Sequence, residues 1–273
     1  MGQVSPPGGP ASARSRRILA WGGHDFTAGA PDRAVCEFML SLLPASRPRV
    51  CLLPTAGGDP SEQIARFYRA FGERDCEPSD LSLFRLGKRP VMLEEHLLAQ
   101  DLIYVGGGSL LNLLAVWDAH GISAILRRAW EGGTLIAGQS AGAMCWFEEA
   151  ITKSSGRSEK TLGLGLLPGS LCVHYHQEPD RRTSYLALVR DGMAPGYGLD
   201  DHAGLLWEGR NLAGAISARR GAAAYRVERR GGFAAESRLP ARPLHDPEPQ
   251  PVARDIAEFR RVRRAFKDAA RRR

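Results

Sequence analysis

The feature that most limits what this chain can fold into is a series of short, largely apolar runs at residues 18–21, 50–53, 81–84, 102–105 and 135–137, each followed by helical patterning. A strand with one wet face alternates polar and apolar residues, whereas a strand with almost no polar positions has to be covered on both faces. Between the runs lie amphipathic stretches at 32–43, 61–74, 91–99 and 122–130. Strand and helix in alternation predict the α/β class: a doubly wound, mostly parallel sheet with helices on both faces. Sheets of this kind place their chemistry at the carboxyl ends of the strands. Shorter β-like pieces at 204–207, 212–216 and 223–227 are expected to complete the sheet at one edge.

At 273 residues and 43% hydrophobic, the chain can bury a substantial core, which excludes wholesale disorder. The expected organisation is a flexible leader over 1–17, an α/β domain over 18–240, a Pro-rich linker over 241–251 and a basic amphipathic helix over 252–273. In that last stretch Ile256, Phe259, Val262 and Phe266 form a narrow apolar stripe, expected to dock on the body or a partner. The formal net charge of +7 resides in the tails: +3 over 1–17 and +6 over 251–273, leaving −2 for 18–250. A nearly neutral body argues against a basic groove for nucleic acid. No apolar run reaches the eighteen residues of a membrane span, and Met1-Gly2-Gln3-Val4-Ser5-Pro6-Pro7 lacks the layout of a signal peptide, so the expectation is a cytoplasmic protein without a membrane partner. Self-association is left open. Five cysteines, odd in number and without a CxxC, read as reduced core residues.

The most informative stretch is Gly138-Gln139-Ser140-Ala141-Gly142, with an apolar run before it and a helical pattern after it. Strand, G-x-S-x-G and helix together make a sharp turn that exposes the serine hydroxyl at a helix N-terminus. Unpaired N–H groups there favour an oxyanion, and the N–H of Ala141 is the natural donor. The rival reading is a Gly-rich turn whose serine caps the helix. A second cluster, Gly106-Gly107-Gly108-Ser109, is a candidate for the other oxyanion donor. No Gly-Lys-Ser/Thr follows it, which weakens a phosphate-loop reading. A nucleophilic serine needs a base, and His174-Tyr175-His176 follows a strand pattern with both imidazoles on one face. The rivals are a two-histidine metal site, incomplete at two ligands, and ordinary strand-end polar residues.

These residues resemble peptidase E (α-aspartyl dipeptidase) and its relatives, including cyanophycinase, serine hydrolases with a class I glutamine amidotransferase-like fold. The resemblance covers about 18–240 and rests on an ordered series. It runs from Tyr104-Val105-Gly106-Gly107-Gly108 through Gly138-Gln139-Ser140-Ala141-Gly142-Ala143 and Cys145-Trp146-Phe147-Glu148. A turn ending in Leu167-Pro168-Gly169 follows, then His174-Tyr175, and Gly198-Leu199-Asp200-Asp201 closes the series. It implies a Ser-His-acid triad that cleaves a peptide bond next to an acidic residue of a small peptide, with no cofactor or metal. Ser140 matches the nucleophile and His174 the base; Gly107, Gly108 and Ala141 match the oxyanion region, with Ser109 beside it. Arg181 or Arg182 is expected to fork onto a substrate carboxylate.

The departures are Ser109, where relatives carry Asn, and His176, where they carry Asp. Thr152-Lys153-Ser154-Ser155 stands in the region after the elbow where relatives carry an acid. With no Asp there, Glu148 is the expected third triad member, two turns into the elbow helix, and Glu159 its alternative in the following loop. Two other readings stay open: an α/β-hydrolase esterase using His202 or His245, and a binding protein that keeps the fold without turnover.

Overall fold

A computed structural model describes residues 15–24, 26 and 33–244. Five strands form the parallel heart of a sheet: β1 (Arg17–Trp21), β2 (Arg49–Leu53), β3 (Glu77–Asp80), β4 (Leu102–Val105) and β5 (Leu135–Gln139). They lie in the order β1-β5-β4-β2-β3. The crossovers carry α1 (Arg33–Ser41), α2 (Ser61–Phe71), α3 (Leu93–Leu98), α4 (Leu110–Ala119) and α5 (Ile122–Glu131).

The period of two along each strand sorts the side chains into two cores. Leu19, Trp21, Val50, Leu52, Leu102, Tyr104, Leu135 and Ala137 face one way and meet Val35, Met39, Phe67 and Phe71 of α1 and α2. Ile18, Ala20, Cys51, Leu53, Ile103, Val105 and Ile136 face the other way, against Leu97, Leu113, Trp117, Leu126 and Trp130 of α3 to α5. Both faces of β1, β2, β4 and β5 are dry, which is why these four strands carry few polar residues.

Past β5 the chain makes a single turn, α6 (Ala141–Met144), and then builds a second sheet from β6 (Phe147–Thr152), β7 (Glu159–Leu162), β8 (Leu167–Val173) and β9 (Gly196–Leu199), with α7 (Arg181–Arg190) between β8 and β9. β10 (Ala203–Glu208) and β11 (Asn211–Ser217) return to the first sheet, where β10 lies antiparallel to β1. β12 (Ala224–Arg230) and β13 (Phe233–Arg238) extend the second sheet, and β14 (Ala241–Pro243) closes the first beside β11. Phe147, Leu167, Leu171, Val173 and Leu199 of the second sheet share a core with the first. On its outer face Ile151, Cys172 and Tyr175 pack against Tyr185 and Val189 of α7. All five cysteines are buried and unbridged. Among the described residues no helix is long and apolar enough to cross a membrane.

Several expectations are corrected. The third strand is the polar segment Glu77–Asp80, not 81–84, where a 3-10 turn spans Leu83–Arg85. As an edge strand it has one neighbour, so it can be polar. The N–H groups of Glu77 and Leu81 donate to Pro48 and Leu52, while Pro78, which lacks a donor, falls on the outward side. Of the three later β pieces, two complete the first sheet and the third, β12, belongs to the second. Residues 241–243, read as the start of the linker, are the edge strand β14. Helix α4 went unread because Leu110-Leu111-Asn112-Leu113-Leu114-Ala115-Val116-Trp117 is apolar nearly all round. Most of the leader, the rest of the linker and the basic C-terminal helix lie outside the described residues.

Candidate active site

Ser140 stands between β5 and α6 with φ 51° and ψ −116°, a left-handed conformation rare for a residue with a side chain. The turn is forced from both sides. A Cβ on Gly138 would fall 2.3 Å from the carbonyl oxygen of Gly142, and one on Gly142 would fall 2.2 Å from that of Val105. The Ser140 N–H donates to the Trp21 carbonyl, and the N–H groups of Ala143 and Met144 donate to the Ser140 carbonyl. The serine side chain makes no capping bond to the helix. Its Oγ instead lies 2.9 Å from Nε2 of His174.

His174 follows the last residue of β8 and also takes a left-handed backbone, φ 54°. The next residue, Tyr175, donates its N–H to Leu199 at the end of β9. That tie brings the strand end carrying the imidazole beside the loop that follows β9. There Asp201 offers Oδ1 at 2.6 Å from Nδ1 of His174. The N–H of Asp201 donates to Oε1 of Gln177, and the carboxylate is buried. Burial pushes the Asp201 carboxyl up, but the hydrogen bond and charge of His174, with the charges of His24 and His202, outweigh it. The group is held below the usual carboxylate range. A proton on Nδ1, shared with Asp201, leaves Nε2 as acceptor for the serine hydroxyl, the tautomer a general base requires.

The Gly cluster lies on the other side of Ser140. A Cβ on Gly107 would touch Cβ of Ser140 at 3.3 Å, and one on Gly108, at φ 147°, would fall 2.1 Å from the Ala56 carbonyl oxygen. The flanking donors are already used: Gly106 N–H bonds Leu53 and Ser109 N–H bonds Ala56. The N–H of Ala141 opens α6 and can have no partner inside that helix.

Of the residues expected at the site, Ser140, His174, Gly107, Gly108 and Ala141 are brought together, and the four others have partners of their own within the chain. Glu148 is not the partner of His174. The elbow helix ends after Met144, so Glu148 lies on β6, where it accepts from the Gly169 N–H at 2.9 Å and from Arg210 at 3.1 Å. Its alternative, Glu159, opens β7, the edge strand of the second sheet. Ser109 caps α4, its Oγ accepting from the Asn112 N–H. Each of the two arginines is engaged by an acid of this chain. Buried Arg181 bonds Glu178 and the Ile151 carbonyl, and Arg182 holds Glu236 through three contacts of 2.6 to 3.0 Å. The altered position His176 bonds Asp200 through Nδ1 at 2.8 Å, so the two histidines turn to different carboxylates. Lys153 reaches Glu178 and the Pro179 carbonyl. The ring of His202 rests against His24, and His245 lies outside the described residues.

Asp201 is the site residue that sequence reasoning passed over. The resemblance places the acid next to the elbow in sequence, whereas the fold supplies it from the loop after β9, the strand beside β8. A paired Asp200-Asp201 at the end of an apolar strand was the available signal.

Comparison with known proteins gives the family of the chain. The model of peptidase family S51 matches residues 18–214. The "Uncharacterized peptidase YgaJ" of Bacillus subtilis (strain 168) is 41% identical over 230 residues, covering 84% of this chain and 99% of that protein. Cyanophycinase of Synechococcus elongatus is 26% identical over 171 residues, 58% of this chain and 52% of the relative, so the match spans about half of cyanophycinase. In the crystal structure of a peptidase from an acI-B1 Actinobacterium the fold recurs with a TM-score of 0.56 at 17% identity, over 84% of this chain and 96% of that one. The family match spans well over half the sequence and takes in both the serine elbow and the Asp201 loop, and on that ground the chain belongs to peptidase family S51.

Proposed function

We propose that the chain is a serine peptidase of the peptidase E type, acting in the cytoplasm on a small peptide and hydrolysing a bond next to an acidic residue. The observation that carries this reading is the continuous hydrogen-bonded line from Ser140 Oγ through His174 to buried Asp201. Ser140 attacks the acyl carbon while Nε2 of His174 takes its proton. Asp201 stabilises the imidazolium that forms. The N–H of Ala141, with that of Gly107 or Gly108, faces the developing oxyanion. His174 then protonates the leaving amine, and water, activated in the same way, releases the acyl group. The acidic preference follows from the resemblance to peptidase E and not from Arg181 or Arg182, which Glu178 and Glu236 of this chain engage.

A fluorophosphonate probe and a panel of Asp-X and Glu-X dipeptides with N-blocked controls test the proposal together. The expected result is labelling at Ser140, lost in Ser140→Ala and His174→Ala, with turnover of the acidic dipeptides above that of neutral ones. Folded protein that neither reacts with the probe nor cleaves any dipeptide would overturn it in favour of a binding protein on the same fold.

A further inference from the structure

Six non-glycine residues of the described chain have a left-handed backbone, and four of them meet at one place: Ser140, His174, His24 and His202. Backbone in this region is uncommon for side-chain-bearing residues and concentrates at functional sites. The three imidazoles gather around a single carboxylate. His174 takes Oδ1 of Asp201 at 2.6 Å, and Nε2 of His24 lies 3.5 Å from Oδ2. The ring of His202 stacks on that of His24 with centroids 5.6 Å apart. Burial separates their roles: the Asp201 side chain is 8% exposed, whereas that of His24 is 61% exposed.

We infer that His24 acts on this centre through Asp201: its Nε2 lies 3.5 Å from the second oxygen, within ion-pair reach, and when it carries a proton it competes with His174 for that carboxylate. The inference rests on the reading of Ser140, His174 and Asp201 as the reacting group. With His24 neutral, the full charge of Asp201 serves the imidazolium of His174. With His24 cationic, one negative charge is divided between two rings, and the imidazolium formed during attack is less stabilised. The titratable groups acting on Asp201 come from each neighbouring segment: His24 after β1, His174 after β8 and His202 after β9. Asp200 is turned away, its two oxygens taken by His176 and the Ala223 N–H. The Gln177 amide on the Asp201 N–H carries no charge.

The test uses the full chain and two variants, His24→Asn and His24→Gly, both of which accept a left-handed backbone and neither of which takes a proton. The His174 ring is followed by proton–nitrogen correlation NMR from pH 4 to 9, and fluorophosphonate labelling of Ser140 is measured over the same range. In both variants the His174 midpoint is expected to rise by about half a pH unit, the scale of repulsion between two partly exposed cations on one carboxylate. The acid limb of labelling is expected to change from two steps to one. His174 titrations that superimpose in wild type and both variants would overturn the inference even if Ser140 is labelled normally. An unreactive Ser140 with a His174 midpoint that still moves would sink the peptidase reading and leave the coupling between His24 and His174 standing.

Discussion

Gly23 and Asp201 stand so close that no side chain fits between them: a Cβ on Gly23 would lie 2.3 Å from Oδ1 of Asp201, the oxygen bonded to His174. The same Cβ would lie 2.5 Å from Cε1 of His174. The backbone after β1 is thus the back wall of the His174–Asp201 hydrogen bond. Gly23→Ala should push the two side chains apart and slow probe labelling of Ser140 by about 100-fold or more, the scale expected when a positioned group moves by an ångström. Thermal stability should fall as well, because the Asp201 carboxylate is buried, so the labelling rates are compared at a temperature where both proteins are folded. Labelling of the variant at the wild-type rate would show that the wall is not needed.

The choice of Asp201 over Glu148 as the partner of His174 separates two carboxylates by experiment. Asp201→Asn preserves shape but cannot hold the imidazole in the required tautomer or balance its charge. Labelling and turnover should fall by about 10³-fold or more. Glu148→Gln removes a contact to Arg210, a half-exposed ion pair of small worth, and should leave the rate within about threefold. The reverse ranking would return Glu148 to the centre.

What the sequence made legible here follows the range of the forces involved. Four of the five parallel strands are readable because burial on both faces erases alternation, and the elbow is readable because strand, G-x-S-x-G and helix are contiguous in the sequence, although Gly142 answers to the distant Val105 carbonyl. The partner of His174 was not readable, since Glu148 and Asp201 are both ordinary acids until the order β9-β8-β6 fixes which strand end lies beside the imidazole. Arg181 and Arg182 looked like a substrate fork for the same reason. Glu178 stands only three residues before Arg181, but Glu236, the partner of Arg182, lies more than fifty residues away. The short elbow helix was overestimated because Cys145-Trp146-Phe147 is as apolar in a buried strand as in a buried helix.

The serine at position 109 is structural in this chain. Its Oγ accepts from the Asn112 N–H, while Oγ of Ser154 accepts from Leu110 at 3.1 Å, so two hydroxyls share the open N–H groups of α4. Ser109→Ala should cost about 1 kcal/mol of stability in urea unfolding, the usual loss for a serine N-cap. Ser154→Ala should cost a similar amount. A Ser109→Ala variant with unchanged stability but altered dipeptide preference would reassign the residue to the substrate.

Acid should weaken the fold through Asp201 and Glu236. Both carboxyls are raised by burial and then brought below their ordinary values by hydrogen bonds and charge: Asp201 from His174, and Glu236 from Arg182 and Tyr175. A carboxyl depressed on folding contributes stability that is complete above its unfolded value and is lost as pH falls through the folded one. With ordinary values of 3.8 for Asp201 and 4.5 for Glu236, that contribution should be constant above about pH 5.5 and decline below it. Urea unfolding of wild type, Asp201→Asn and Glu236→Gln at pH 6, 4.5 and 3.5 reads this directly. Each variant should be less stable than wild type at pH 6, with the gap narrowing as pH falls, because protonation removes from the wild type what the substitution has already taken away. A gap that stays constant to pH 3.5 would mean that neither carboxyl titrates differently in the folded and unfolded chain.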